Sequence, residues 1–365
     1  MSSPKSASPL KAETSPSPGK MRSQSPQDVH PTQPELIPAD DANDDDASSF
    51  GDDLSEREST ASITSSILEY RTIEGRTFHS DRHDSEYFTP NDHQQIQSMD
   101  LNHHALLLLL EGKLHVTPLG DNVQSVLDVG TGSGIWAMDF ADENPQASVT
   151  GTDLSPTQPS WVPPNLKFEI DDCAKPWSFP PSSFDFIHIR FLFGAIADWT
   201  ALFKEAYRCC KPGGWIQSSE AEVLMCSDDG TVAEGSAMKE QWNQIWEEAG
   251  KKLGKSFLVI QEDLQRKGME KAGFTDIQQV TYKVPMNTWP RDPQLSQVGR
   301  FIQLTMDNDI EGYTMYLWNH VLGWSKEDYQ IFLMNMRKEM RSRKIHSYFY
   351  VRYVYGRKPQ AEPEG

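Results

Sequence analysis

The chain of 365 residues lacks the marks of several large protein classes. Its four cysteines, Cys173, Cys209, Cys210 and Cys226, form no CxxC pair and no regular framework. Neither a disulfide scaffold nor a thiolate zinc site is expected, and a reducing compartment suits them. The longest leucine run, Leu106 to Leu110, falls far short of the about 20 apolar residues that span a bilayer. The Ser/Pro-rich start has no apolar stretch of the kind a secretory leader needs, so a soluble intracellular protein is expected. Basic residues are in deficit, 34 against 53 acids for a net charge of -19, and no basic stripe stands out. That argues against direct nucleic-acid binding. The pairs His79/His83 and His103/His104 have no third ligand at a metal-site spacing, and no metal is expected.

Aromatic and β-branched residues are scarce in the first 60 positions, where twelve acids face five bases. Residues 1–60 therefore read as a disordered acidic tail. Its Ser-Pro pairs at Ser3, Ser8, Ser15, Ser17 and Ser25 are candidate sites for a proline-directed kinase. Residues 61–365 read as one domain. It divides into an N-terminal lid and helix (61–112), a cofactor-binding core (123–222), helical insertions with a strand (223–345) and a closing strand (345–359).

Asn91, three residues before Gln94, has the pattern of a helix N-cap with a capping-box partner, and apolar residues from Ile96 to Leu110 follow at helical spacing. Four strands are expected in Ser125 to Val129, "ASVTGTDLS" (147–155), "LKFEIDD" (166–172) and "FDFIHIRF" (184–191). The nearly continuous apolar character of the last fits a parallel strand buried on both faces. Trp199, Leu202, Phe203, Ala206, Tyr207 and Cys210 make one face of a helix that "KPGG" (211–214) stops before the strand "WIQSSEAE" (215–222). Strands and helices alternating in this rhythm predict an α/β doubly wound sheet. Further on, Met238 to Leu253 and "DLQRKGMEKAGF" read as helices, "TDIQQVTYKVPM" (275–286) as a strand and 292–342 as helical. "IHSYFYVRYVYGRKP" (345–359) reads as the closing strand.

The segment "VLDVGTGSGIWA" (126–137) carries the chemistry. A strand ending in Asp128 turns through Gly130, Gly132 and Gly134, where absent Cβ atoms let the main chain approach a ligand. The spacing is GxGxG, not the dinucleotide GxGxxG, because Ile135 stands where the third glycine would fall; no GxxxxGK[ST] phosphate cradle is present either. Asp128 would repel a pyrophosphate but attract a cationic amino-acid group.

These residues resemble motif I of the class I S-adenosylmethionine-dependent methyltransferases. The resemblance implies a Rossmann-like seven-stranded sheet with helical insertions, and S-adenosyl-L-methionine as cofactor. It implies that Asp128 and the glycines hold the methionine part, that Asp153 with the adjoining Leu154 takes the ribose hydroxyls, and that Asp172 and the main chain of Cys173 meet the adenine. "EGRTFHSDRHDSEYFTPND", "PWSFPPSSFDFIHIRF" and the terminal aromatic strand are similar to the fungal LaeA-like methyltransferases over roughly 70–360. That likeness implies a regulator of secondary metabolism and development, a protein or small metabolite as methyl acceptor, a velvet-type or zinc-finger partner, and a place in cytoplasm and nucleus. A cofactor-binding scaffold with little turnover is the alternative.

Methyl transfer from a sulfonium needs alignment and exclusion of water more than a nucleophilic triad. If the acceptor loses a proton, His188 and Arg190, on one face at the end of the fourth strand, are the candidate catalytic groups; core roles for both are the competing reading. Tyr87 with Phe88, inside the stretch Glu86 to His93, is a candidate lid over the cofactor. Trp242 and Trp246 read as core.

Overall fold

Strand Ser125–Val129 (β3 below) is buried along nearly its whole length, and it can be so because it is hydrogen-bonded on both sides. The computed structural model describes residues 68–80, 85 and 87–360. The expected tail and Glu86 of the expected lid lie outside them. In chain order come a hairpin of β1 (Arg71–Ile73) and β2 (Arg76–Phe78), α1 (His93–Leu109), β3 (Ser125–Val129), α2 (Ile135–Glu143), β4 (Ser148–Asp153), β5 (Leu166–Ile170), β6 (Phe184–Arg190), α3 (Trp199–Cys209) and β7 (Cys210–Ala221). A π-helical turn, Ala237–Trp242, leads into α4 (Asn243–Leu253), followed by α5 (Leu264–Ala272), β8 (Thr275–Pro285) and α6 (Pro293–Met315). A second π-helical turn, Tyr316–Leu322, precedes α7 (Lys326–Arg341) and β9 (Tyr348–Arg357).

The seven-stranded sheet has the order β5-β4-β3-β6-β7-β9-β8. Neighbours from β5 to β7 are parallel, and β9 is antiparallel to both β7 and β8. The chain runs outward from β3 to β5 and then returns to the other side of β3 to form β6. The main-chain connections therefore diverge between β3 and β6, opening a crevice at their C-terminal ends. Every acid or base expected at a strand end is thereby brought to one rim.

Two expectations need correction. The N-cap of α1 is Asp92, whose side chain accepts from Gln95 N, and not Asn91. Arg76 fixes the Asp92 carboxylate, while Asn91 Nδ2 turns to Ser155 Oγ at 3.2 Å. The Lys-Pro-Gly-Gly segment does not separate helix from strand: α3 ends at Cys209 and β7 already begins at Cys210, paired with Phe184 ahead of a bulge. The stretch 292–342 is helical as expected, made of α6, a π-helical turn and α7, and Asp309 within α6 has non-helical dihedrals (φ -151, ψ 51).

Apolar side chains pack against both faces of the sheet. Trp136 and Phe140 of α2 meet Phe186 of β6 on one side. Leu202, Phe203 and Ala206 of α3 join Ile187 and Ile189 on the other. A third cluster gathers the insertions: Trp242, Trp246, Ile302, Trp318 and Phe332. No helix among the described residues is long and apolar enough to cross a membrane.

Candidate functional site

The turn after β3 takes its shape from its glycines. Gly134 has φ +82, and a Cβ there would lie 2.4 Å from Phe168 Cζ of β5; a Cβ on Gly130, at φ +69, would lie 2.7 Å from Leu192 Cδ2. The loop passes close under Asp153 at the end of β4, whose Oδ2 accepts from Gly132 N at 2.8 Å and Oδ1 from Ser155 N at 3.0 Å. Burial pushes the Asp153 carboxyl up to about 6, against the backbone donors that pull it down. After β5, Asp172 accepts from Ala174 N at 3.0 Å and Ser85 Oγ at 2.7 Å, and Cys173 follows with its thiol pushed up by burial.

These groups border one cavity of about 250 Å³. Of the residues expected at the cofactor, Tyr87, Gly130, Gly132, Asp153, Leu154, Asp172 and Cys173 line it. Asp128 and Gly134 do not. Asp128 points into the sheet, where its Oδ1 accepts from His188 Nδ1 at 2.7 Å and its Oδ2 from Thr131 Oγ1 at 2.6 Å. It fixes the glycine turn from behind.

His188 is correspondingly no base for an acceptor. It is 1% exposed, its ring stacks on Trp136 with centroids 3.7 Å apart and planes 9° from parallel, and it is absent from the cavity wall. Burial pushes its imidazole down to about 4, so it is neutral and donates to Asp128. Arg190, two residues on, does reach the cavity. Its Nη1 donates to His103 Nδ1 at 3.0 Å, and His103 Nε2 donates to Asp139 Oδ2 at 2.9 Å. Among the described residues no carboxylate lies within ion-pair distance of Arg190, and it is the only Arg or Lys on the wall. Arg190 is half-buried, and the carboxylates of Asp128, Asp100 and Asp139 act on it without touching it, which leaves its fork open to an anion from outside the chain.

The expected lid is docked. Phe88 is 2% exposed in a cluster with Phe193, Trp246 and Phe257, and Asn91 N donates to Thr77 O of the hairpin. Tyr87 flanks Phe88 edge-on at 5.1 Å and lines the cavity; burial raises its hydroxyl to about 12. Hydrogen bonds from Tyr87 N to His79 Nε2 and from Asn91 N to Thr77 O fasten this segment to the hairpin and its flank. Trp242 and Trp246 belong to the core and also border the cavity.

Sequence reasoning passed over three acids. Glu220 and Glu222 sit in and just after β7, and Asp309 in α6. The signal for the first two was a pair of glutamates in a strand expected to be central, which can be placed only by burying them. Glu220 is fully buried and accepts from Leu192 N at 3.1 Å and Phe193 N at 3.0 Å, shaping the loop after β6. Burial pushes its carboxyl up to about 8, and that of Glu222 to about 7.

A stability consequence follows. Between pH 6.5 and 8 the unfolded chain has already released these protons while the folded chain still holds them, so stability is lost as pH rises through the folded values. His188, depressed to about 4, is already neutral in the fold, so the release of its proton by the unfolded chain near 6.5 offsets part of this loss. The loss expected over that range is about 1–2 kcal/mol, checked by urea melts at pH 6.5 and 8.0. A flat profile would show that Glu220 and Glu222 are ionised in the fold.

A doubly wound sheet with a glycine turn, strand-end carboxylates and a half-buried guanidinium around one crevice defines an S-adenosylmethionine-dependent methyltransferase of class I. The methyltransferase-domain family model matches residues 93–279, and the chain belongs to that family. It is similar to methyltransferase pytC of Aspergillus terreus, with 34% identity over 82% of this chain and 92% of that one. It is also similar to the secondary metabolism regulator LAE1 of Cochliobolus heterostrophus, with 33% identity over 78% and 94%. The protein-methionine methyltransferase laeA of Emericella nidulans is 29% identical over 78% and 75%.

Proposed function

We propose that the crevice holds S-adenosylmethionine with its carboxylate on Arg190, its ribose hydroxyls on Asp153 beside Leu154, and its adenine between Asp172 and Cys173. The observation that carries this reading is the Arg190 guanidinium on the cavity wall with no carboxylate in contact among the described residues. The charges and shape of the crevice fit that cofactor: a cation for its carboxylate, acids for its ribose and adenine, and a glycine turn without Cβ atoms. Asn91 Oδ1, buried on the same wall with no hydrogen-bond partner among the described residues, supplies a further acceptor. When bound, the cofactor supplies a methyl carbon on positively charged sulfur.

The chain's own residues then align and exclude. Asp128, held by His188 and Thr131, keeps the glycine turn in place. Tyr87 covers the cavity from the docked N-terminal segment. Asp153→Ala is expected to remove two charge-assisted hydrogen bonds to the ribose and weaken cofactor binding by about 2–4 kcal/mol in titration calorimetry. Unchanged affinity would refute the placement of the ribose, and NAD binding in place of S-adenosylmethionine would refute the whole reading.

The same proposal extends to biology through the relatives' names: a methyl transfer that serves or regulates fungal secondary metabolism. Deleting the gene and profiling metabolites tests it, with an unchanged profile against it. A velvet-type or zinc-finger partner and a place in cytoplasm and nucleus rest on the resemblance to LaeA-like proteins. Co-purification and imaging of the tagged chain test them.

A further inference from the structure

Beyond Arg190 the cavity continues into a second compartment, between the C-terminal end of β7 and a roof made by α4 and α6. Its walls include Val223, Met225, Trp242, Trp246, Ile302 and Met306. One carboxylate stands on this part of the wall, that of Glu222, the first residue after β7. Glu222 is 4% exposed, its main chain is fixed by a 2.7 Å bond from its N to Tyr350 O, and its carboxylate meets the backbone N–H groups of Leu224, 3.4 Å from Oε1, and of Val223. Glu220, two residues earlier, does not border the cavity, and both its oxygens are taken by backbone donors. The Trp246 side chain is 2% exposed and its Nε1–H has no acceptor among the described residues. The neighbouring Trp242, 5.3 Å away by ring centroid, gives its own Nε1–H to Val223 O at 2.6 Å.

A buried carboxylate able to take a proton, on a largely apolar stretch of cavity wall, sets the chemistry of a ligand. We infer that Glu222 is the general base of the methyl transfer and that the acceptor is a small, largely apolar molecule presenting one hydroxyl. This builds on the cofactor placement proposed above. A hydroxyl suits this wall because it can donate its proton to Glu222 while the rest of the molecule meets apolar side chains. A thioether has no proton for Glu222, and a phosphate or carboxylate would meet no cation here, since Arg190 is engaged at the cofactor end.

In the step, the Glu222 carboxylate takes the hydroxyl proton while an oxygen lone pair forms the bond to the methyl carbon. The carbon–sulfur bond breaks with its electron pair remaining on sulfur. The products are a methyl ether, neutral S-adenosylhomocysteine and a protonated Glu222, which passes its proton to water. Burial has already brought the Glu222 carboxyl to about 7, in the range a general base uses. Arg352 of β9 and Cys226 are the charged and titratable side chains that act on it.

The test uses the full chain with 2-naphthol as the probe and a short methionine-containing peptide as the competing acceptor class. Titration calorimetry with S-adenosylmethionine comes first, and failure to bind it refutes the cofactor reading on which this one stands. With that binding intact, the protein loaded with S-adenosylhomocysteine is expected to bind 2-naphthol with quenching of tryptophan fluorescence. Labelled methyl is expected to appear on its oxygen. Glu222→Gln should keep both affinities within about twofold and lower the transfer rate by about 10²–10⁴-fold, with Glu222→Asp in between. The inference is overturned if 2-naphthol does not bind or binds without acquiring label. It is overturned equally if label enters the methionine peptide instead, or if Glu222→Gln transfers at the wild-type rate.

Discussion

Arg76→Met is expected to destabilise the protein by about 3–5 kcal/mol, the cost of leaving a buried charge without its partner. Arg76 Nη1 donates to Asp309 Oδ1 and Nη2 to Asp309 Oδ2, each at 2.7 Å, while Nη2 also reaches Asp92 Oδ1 at 2.7 Å. The Asp309 side chain is fully buried at the break in α6, and its Oδ1 also accepts from Gly312 N at 3.0 Å. One guanidinium thus ties the β1–β2 hairpin to the N-cap of α1 and to the kink of α6, and these surround the segment 87–91 on the cavity wall. Urea melts of the variant check the magnitude. Arg76→Met combined with Asp309→Asn should recover part of the loss, because the second change removes the stranded charge. A loss below 1 kcal/mol, or strictly additive changes, would mean that the ion pairs contribute little. Cofactor affinity should fall along with stability, since Tyr87 and Asn91 are held by the same tie.

Arg190→Met is expected to raise the Kd for S-adenosylmethionine by about 30- to 1000-fold, equivalent to about 2–4 kcal/mol, with a small effect on the ligand-free fold. The asymmetry follows from the partners. In the ligand-free chain Arg190 Nη1 bonds a neutral His103 and no carboxylate, so little favourable pairing is lost, and removing a half-buried cation relieves a desolvation cost. With the cofactor bound, the same substitution strands its carboxylate in a dry site. Arg190→Lys keeps the charge without the fork and should lose part of the affinity. 5′-Methylthioadenosine, which has no amino-acid carboxylate, provides the control and should bind wild type and Arg190→Met alike. Equal losses for both ligands would place Arg190 in a structural role.

Much of this site was legible in the sequence, because its elements are local. The glycine spacing, the acid closing β4 and the acid after β5 each depend on a few consecutive residues, and the dihedrals of Gly130, Gly132 and Gly134 are dictated by the turn itself. Alternation also put His188 and Arg190 on one face. It could not say that the two would divide, with His188 sealed under Trp136 and only Arg190 reaching the cavity. That choice depends on how α2 lies across β6. The docked state of Phe88 was hidden for a similar reason, since its neighbours Phe193, Trp246 and Phe257 come from three distant segments.

By itself, then, the sequence determined the doubly wound class of the fold, the cofactor turn and the strand-end acids, all set by periodicity and local backbone chemistry. Tertiary structure alone decided which acids face the cavity and which became struts. Glu220 and Glu222 lie two residues apart, yet one is consumed by the loop after β6 and the other is left facing an apolar chamber. Arg76 and Asp309 are separated by 233 residues, and no local rule pairs them. Burial makes such pairings consequential: away from water each charge must find a partner within about 3 Å, and only the packed chain determines which partner is there.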